Sequence, residues 1–209
     1  MNATIERRGT PLLENPYEFA DGPNGEKVVR GTAAVFNKRS HDLGGFTEII
    51  EPGAFERVLA ESPDVVALFN HDPDHLLART ASGTLELGVD SDGLNYTFTP
   101  PDTTLGRDLA VLLSRGDIVG SSFAFIIDED GQRWETDENG GMVRHVESVA
   151  ALIDVSLVTS PAYPDASVAL RALDHWRASK IVSIPAAATW RMAVGRSIAR
   201  REQIRNEHT

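Results

Sequence analysis

The chain has no cysteine among its 209 residues. That excludes disulfides, thiolate zinc sites and a cysteine nucleophile, and it fits an intracellular setting. No window approaches the ~18 apolar residues that a membrane-spanning helix requires, so no membrane partner is expected. Arg7 and Arg8 near the N-terminus are followed by no hydrophobic run, so no secretory signal is expected either. Internal repeats and low-complexity tracts are lacking. A Gly-x-Ser-x-Gly elbow is missing too, which leaves an α/β-hydrolase reading without support.

Positive charge is in short supply: 20 Lys and Arg stand against 31 Asp and Glu, a net charge of -11. The imbalance is uneven. Residues 171–209 hold 8 basic and 3 acidic residues, or +5, so residues 1–170 carry -16. An acidic body argues against phosphate-backbone binding, which Lys and Arg drive, and no nucleic-acid partner is expected. A basic end on such a body suits a docking arm or simple intramolecular attraction.

What is present reads mainly as strands. Residues 1–27, with Pro11, Pro16, Gly22, Pro23 and Gly25, show little periodicity and suggest a loosely ordered lead-in. Val28 to Phe36 and Phe46 to Ile50 have strand composition. Pro52-Gly53 introduces a short helix over Ala54 to Glu61, which Ser62-Pro63 stops. Val65 to Phe69 is a short buried-strand candidate ending in Asn70-His71-Asp72. Alternating runs on either side of Asp90-Ser91-Asp92-Gly93 predict a hairpin. Leu105, Leu109, Leu112 and Leu113 form a helical stripe, with Thr103 or Thr104 as N-cap and Gly116 as terminator. Ile118 to Ile127, Val143 to Val149 and Ala151 to Val158 complete the strands, with an exposed loop or hairpin tip over 128–141. From Asp165 the pattern turns helical and alanine-rich. Strands with two inserted helices and no βαβα rhythm favour an α+β fold, a mixed β-barrel or sandwich.

Three of these segments carry chemistry. Serine needs a base to take its proton, and neutral imidazole suits that task. Of the six histidines, His41 lies in a polar loop, and His175 and His208 lie near the C-terminus. His71 instead caps an apolar strand, where a sheet rim holds a side chain rigidly. His71 and His75 are four apart, a spacing that offers two metal ligands together only on a helix. Pro73 opposes a helix there, so no metal is expected.

Ser121 and Ser122 stand before Phe123-Ala124-Phe125, and alternation puts them on opposite faces. If Phe123 and Phe125 enter the core, Ser122 and Ala124 look outward, which favours Ser122 as nucleophile. A third group must orient the imidazole. Asp154 sits inside an apolar strand, where an unpaired carboxylate is costly, and His71 is an attractive partner. Glu147 competes for that role, and pairing with Arg144 is a structural explanation for either carboxylate. Ser156 shares a side with Asp154.

Gly31-Thr32-Ala33-Ala34-Val35-Phe36-Asn37 and Glu51-Pro52-Gly53-Ala54-Phe55 come first along the chain. Asn70-His71-Asp72, Gly120-Ser121-Ser122-Phe123-Ala124-Phe125 and Asp154-Val155-Ser156-Leu157-Val158-Thr159-Ser160-Pro161-Ala162-Tyr163 follow in order. Together these segments resemble the prohead (capsid maturation) serine proteases of tailed bacteriophages, a family similar in fold to herpesvirus assembly proteases. The resemblance implies a mixed barrel surrounded by helices, with His71, Ser122 and Asp154 as catalytic residues and no cofactor. With the composition of the two ends, it gives an expected domain division into a lead-in (1–27), a protease domain (28–172) and a basic helical tail (173–209). Ala124 replaces the glycine usual in the family's serine motif by one methyl, which narrows the expected substrate channel.

The implied activity is an endopeptidase acting on scaffold or on a scaffold-like segment of the major capsid protein, often with self-cleavage. The implied place is the assembling prohead in the host bacterial cytoplasm, with a homo-oligomer left open. The alternative is a protease-like assembly protein that has lost activity.

Overall fold

The computed structural model describes residues 4–9, 17–127, 129–160, 173–174 and 177–178. Two compact units divide the chain, residues 1–170 and 171–209. The expected helical tail over 173–209 falls almost wholly outside the described residues.

The first unit is built from strands β1 (Glu6–Gly9), β2 (Tyr17–Asp21), β3 (Lys27–Val35), β4 (Phe46–Ile50), β5 (Val66–Phe69) and β6 (Asp72–Arg79), followed by β7 (Leu85–Val89), β8 (Gly93–Phe98), β9 (Gly120–Ile127), β10 (Gln132–Thr136), β11 (Met142–Val146) and β12 (Val149–Val158). Helix α1 (Glu56–Ala60) follows β4, and α2 (Thr104–Arg115) follows β8. The strands form a five-stranded sheet in the order β1-β9-β12-β5-β6, a three-stranded sheet β10-β11-β4 and a four-stranded sheet β2-β3-β8-β7.

The strand-dominated α+β character is as expected, but the barrel surrounded by helices is not. Among the described residues of the first unit none of the three sheets closes, and the helical elements are α1, α2 and one 3-10 turn at Glu129–Gly131. One cause is visible at β6. Its first half is polar and largely exposed, with Pro73 near its start, and such a strand makes a sheet edge.

Local chemistry explains the best-formed elements. In α2 the Thr103 hydroxyl accepts from the Gly106 N–H, and Gly116 ends the helix in the left-handed region at φ 76°. Leu109 and Leu113 are its buried stripe. The aromatic core runs from Phe36 to Phe55 (6.2 Å between ring centroids), then edge-on to Phe123 (5.6 Å), then to Phe125 (4.9 Å). Phe123 and Phe125 therefore fix which face of β9 turns inward.

Residues 1–27, expected as a loose lead-in, hold β1 and β2 instead. The pairing of β1 along β9 sets Gly9 opposite Ser122, Arg8 opposite Phe123 and Glu6 opposite Phe125. Glu6 and Arg8 point to the core side, where they meet Glu48 of β4 and Arg144 of β11. Arg8 Nε donates to Glu48 Oε1 at 2.8 Å and Arg8 Nη2 to Glu6 Oε2 at 2.6 Å. Arg144 donates from Nη2 to Glu6 Oε1 at 2.8 Å and from Nη1 to Glu48 Oε2 at 3.1 Å. Two cations and two anions thus cancel in a nearly dry cluster, with Arg144 fully buried. Burial alone would raise the Glu6 carboxyl, but Arg144 and Arg8 outweigh it and hold Glu6 below its ordinary value. Burial would lower Arg8, but Glu48 and Glu6 raise it.

Such a cluster is costly to break from one side. Arg144→Ala leaves two buried carboxylates facing Arg8 alone and is expected to destabilise the fold by about 3–5 kcal/mol. A urea titration with unchanged slope and a lowered midpoint is the expected result.

Candidate active site

His71 is delivered by a turn, not by a strand end. β5 and β6 form a hairpin in which Phe69 pairs with Asp72, leaving Asn70 and His71 as a two-residue loop. Both have φ 56°, the signature of a type I′ turn, in which the first position favours asparagine. A left-handed histidine costs roughly 1–2 kcal/mol, and local bonds hold the turn against that strain. The Asn70 N–H donates to the Leu157 carbonyl at 2.9 Å, and Asn70 Oδ1 accepts from the Thr159 N–H at 3.0 Å. His71 is thereby tied to the end of β12.

Asp154 and Ser156 come from β12, which pairs with β9 so that Asp154 faces Ala124 and Ser156 faces Ser122. A bulge between Leu152 and Asp154 lies just before the carboxylate. Such irregularities re-aim side chains beside functional sites. β12 also pairs with β5 in parallel, Leu157 beside Phe69, which brings the His71 turn over the same face.

The three residues meet. His71 Nδ1 lies 2.6 Å from Asp154 Oδ1, and His71 Nε2 lies 2.7 Å from Ser122 Oγ. The Ser156 hydroxyl donates to Asp154 Oδ1 at 2.8 Å and lies 3.3 Å from His71 Nδ1. Asp154 can therefore orient the imidazole with Nδ1–H directed at the carboxylate, leaving Nε2 toward the serine. This is the arrangement in which imidazole takes a hydroxyl proton and its cation is stabilised.

The alternatives weighed from sequence lie elsewhere. Glu147 is surface-exposed and accepts from Arg133 Nε at 2.9 Å. Arg144 binds Glu6 and Glu48, not Asp154. Ser121 points to the core side of β9, with its Oγ 2.5 Å from the Tyr96 hydroxyl. Burial pushes the Tyr96 phenol well above its ordinary value, so it stays protonated at neutral pH. Gly31 makes room for that tyrosine, since a Cβ there would fall 2.2 Å from its ring. His75 points its Nδ1 toward Asp72 Oδ2 at 3.1 Å on the exposed part of β6.

One expectation fails. Ser122 and Ala124 do lie on the face opposite Phe123 and Phe125, yet both have zero exposure. The strand beside Ser122 in the sheet is β1, which falls within the span expected as a loose lead-in. The Ser122 hydroxyl donates to the Arg8 carbonyl at 2.9 Å. A hydroxyl has one hydrogen, and two acceptors compete for it. If it goes to Arg8, His71 Nε2 must carry its own proton and donate to Oγ. If it goes to Nε2, the serine is poised for deprotonation and the Arg8 carbonyl loses this partner. No hydrophobic signal marks β1 in the sequence, because its inward side chains are charged.

No curated protein matches the chain significantly. Among solved structures it is similar to the bacteriophage T4 capsid assembly protease, gp21, with a TM-score of 0.41 and 9% identity, over 74% of this chain and 96% of that one. A family model described as caudovirus prohead serine protease matches residues 16–179. That span takes in the Asn70–His71 turn, all of β9 and all of β12, and on it the chain belongs to the caudovirus prohead serine protease family.

Proposed function

We propose that the chain is a serine endopeptidase of phage capsid maturation in which Ser122 is the nucleophile, His71 the general base and acid, and Asp154 the residue that orients His71. The observation that supports this most is the imidazole bridging a hydroxyl and a carboxylate at 2.7 and 2.6 Å. In the proposed reaction Ser122 Oγ bonds to the scissile carbonyl carbon as its proton passes to His71 Nε2. The amide C–N bond then breaks, and Nε2 returns the proton to the leaving amine. Water repeats the sequence on the acyl-serine, with His71 taking its proton, and frees the new carboxylate. The Asp154 carboxylate stabilises the imidazolium throughout.

The substrate in this reading is the scaffold, or a scaffold-like segment of the major capsid protein, with cleavage of the chain itself as a second reaction. The work takes place within assembling proheads in the host cytoplasm. The basic residues beyond 172 serve as a tether to scaffold or shell. Among the described residues, no helix is long and apolar enough to cross a membrane.

The buried Ser122 favours one competitor, an assembly protein that has kept the fold and lost activity. Co-expression with the capsid and scaffold proteins of the same phage, followed by a phosphonate serine probe, separates the two. The expected result is a cut partner and an adduct on Ser122. An intact partner together with an unlabelled Ser122 would overturn the protease reading.

A further inference from the structure

Strand β1 lies along β9 as an extended peptide lies along a protease edge, and it places one backbone carbonyl on the nucleophile. That carbonyl, from Arg8, accepts from Ser122 Oγ at 2.9 Å. The peptide bond that follows is Arg8–Gly9. Gly9 pairs with Ser122, so a side chain at this position would project on the Ser122 face, and glycine leaves that space free. Arg7 is exposed, while the side chains at Arg8 and two residues earlier, at Glu6, enter the interior. There Glu48 receives the guanidinium and Arg144 receives the carboxylate. β1 also precedes residues 16–179, the span of the family match.

We infer that β1 occupies the substrate cleft as an internal stand-in, so that the site selects an extended segment with an acidic residue, any residue, a basic residue and then a small residue, cut after the basic one. Glu48 is the positioning residue for the basic side chain and Arg144 for the acidic one. The inference rests on the protease reading. It adds a substrate class and a self-occlusion: while β1 is seated, its backbone takes the edge of β9 and its Arg8 carbonyl competes for the Ser122 hydrogen. A substrate strand must displace it, and the buried charge cluster sets how readily it leaves. Antiparallel addition to a sheet edge supplies backbone affinity, and alternate side chains supply selectivity.

The test uses two fluorogenic peptides and two full-length chains. One peptide carries the sequence of residues 5–10, Ile-Glu-Arg-Arg-Gly-Thr, and the other has glutamine at the positions of Glu6 and Arg8. The chains are the wild type and Arg8→Gln, whose β1 is held more weakly. The charged peptide is expected to be cut after the arginine that matches Arg8, at least roughly thirtyfold faster than its uncharged counterpart. The folded Arg8→Gln chain is expected to cut it faster than the wild type does. Equal rates on the two peptides, cleavage at another bond, or slower turnover by a folded Arg8→Gln chain would each overturn the inference. Circular dichroism reports whether Arg8→Gln is folded; if it is not, the wild type's preference between the peptides decides. A chain that cuts casein through Ser122 but neither peptide loses the specificity and keeps the protease reading. A chain that cuts nothing and leaves Ser122 unlabelled loses both.

Discussion

Ser122→Ala is expected to lower kcat for cleavage on the order of 10⁶-fold, about 8 kcal/mol of barrier, while the chain remains folded. The size follows from what is removed. Without Oγ there is no acyl intermediate, and His71 has no proton to take. The structural loss is small by comparison: the contacts of Oγ with the Arg8 carbonyl at 2.9 Å and with His71 Nε2 at 2.7 Å, each worth on the order of 1 kcal/mol. Thermal melting beside a cleavage assay separates the two effects. Retained cleavage would move the nucleophile, and Ser121 is a poor second choice because its hydroxyl is bound to Tyr96 at 2.5 Å.

Asp154→Asn is expected to lower kcat about 10⁴-fold, with a much smaller change in KM. An amide keeps the shape but puts a donor where a carboxylate accepted. Asp154 Oδ1 now takes bonds from both His71 Nδ1 at 2.6 Å and the Ser156 hydroxyl at 2.8 Å. An asparagine that turns its NH₂ toward His71 favours the wrong tautomer, with the proton on Nε2, where it cannot accept from Ser122. Glu147→Gln is the control, expected to leave kcat unchanged, because Glu147 sits on the surface with Arg133. Equal losses in the two variants would remove Asp154 from its special place.

Much of the proposed triad was legible because strand alternation is a local rule. It separated Ser122 from Ser121, marked Asp154 as a carboxylate in need of a partner, and singled out His71 beside an apolar run. Helix α2 was equally readable, since Thr103, the leucine stripe and Gly116 all lie within one short span. What escaped was structure held by long-range charge. Arg8 and Glu48 are 40 residues apart, and Glu6 and Arg144 are 138 apart. No hydropathy pattern reveals that such residues are buried, because each is soluble until the other three arrive. β6 escaped for a related reason: Asp72, Pro73, Asp74 and His75 carry no apolar alternation, yet they lie in the edge strand of a sheet. The order of elements left barrel and sandwich both open and the resemblance favoured the barrel, but nothing in the periodicity of the strands specified closure.

The two-residue turn at Asn70–His71 has an evolutionary consequence. Phe69 and Asp72 pair directly across it, so the imidazole has no slack on either side. One inserted residue adds about 3.3 Å of chain, more than the 2.7 Å that separates Nε2 from Ser122 Oγ. Length at this point is therefore expected to be frozen in any lineage that keeps the chemistry, even where composition drifts. The exposed tip between β10 and β11 is under no such constraint and is free to grow or shrink.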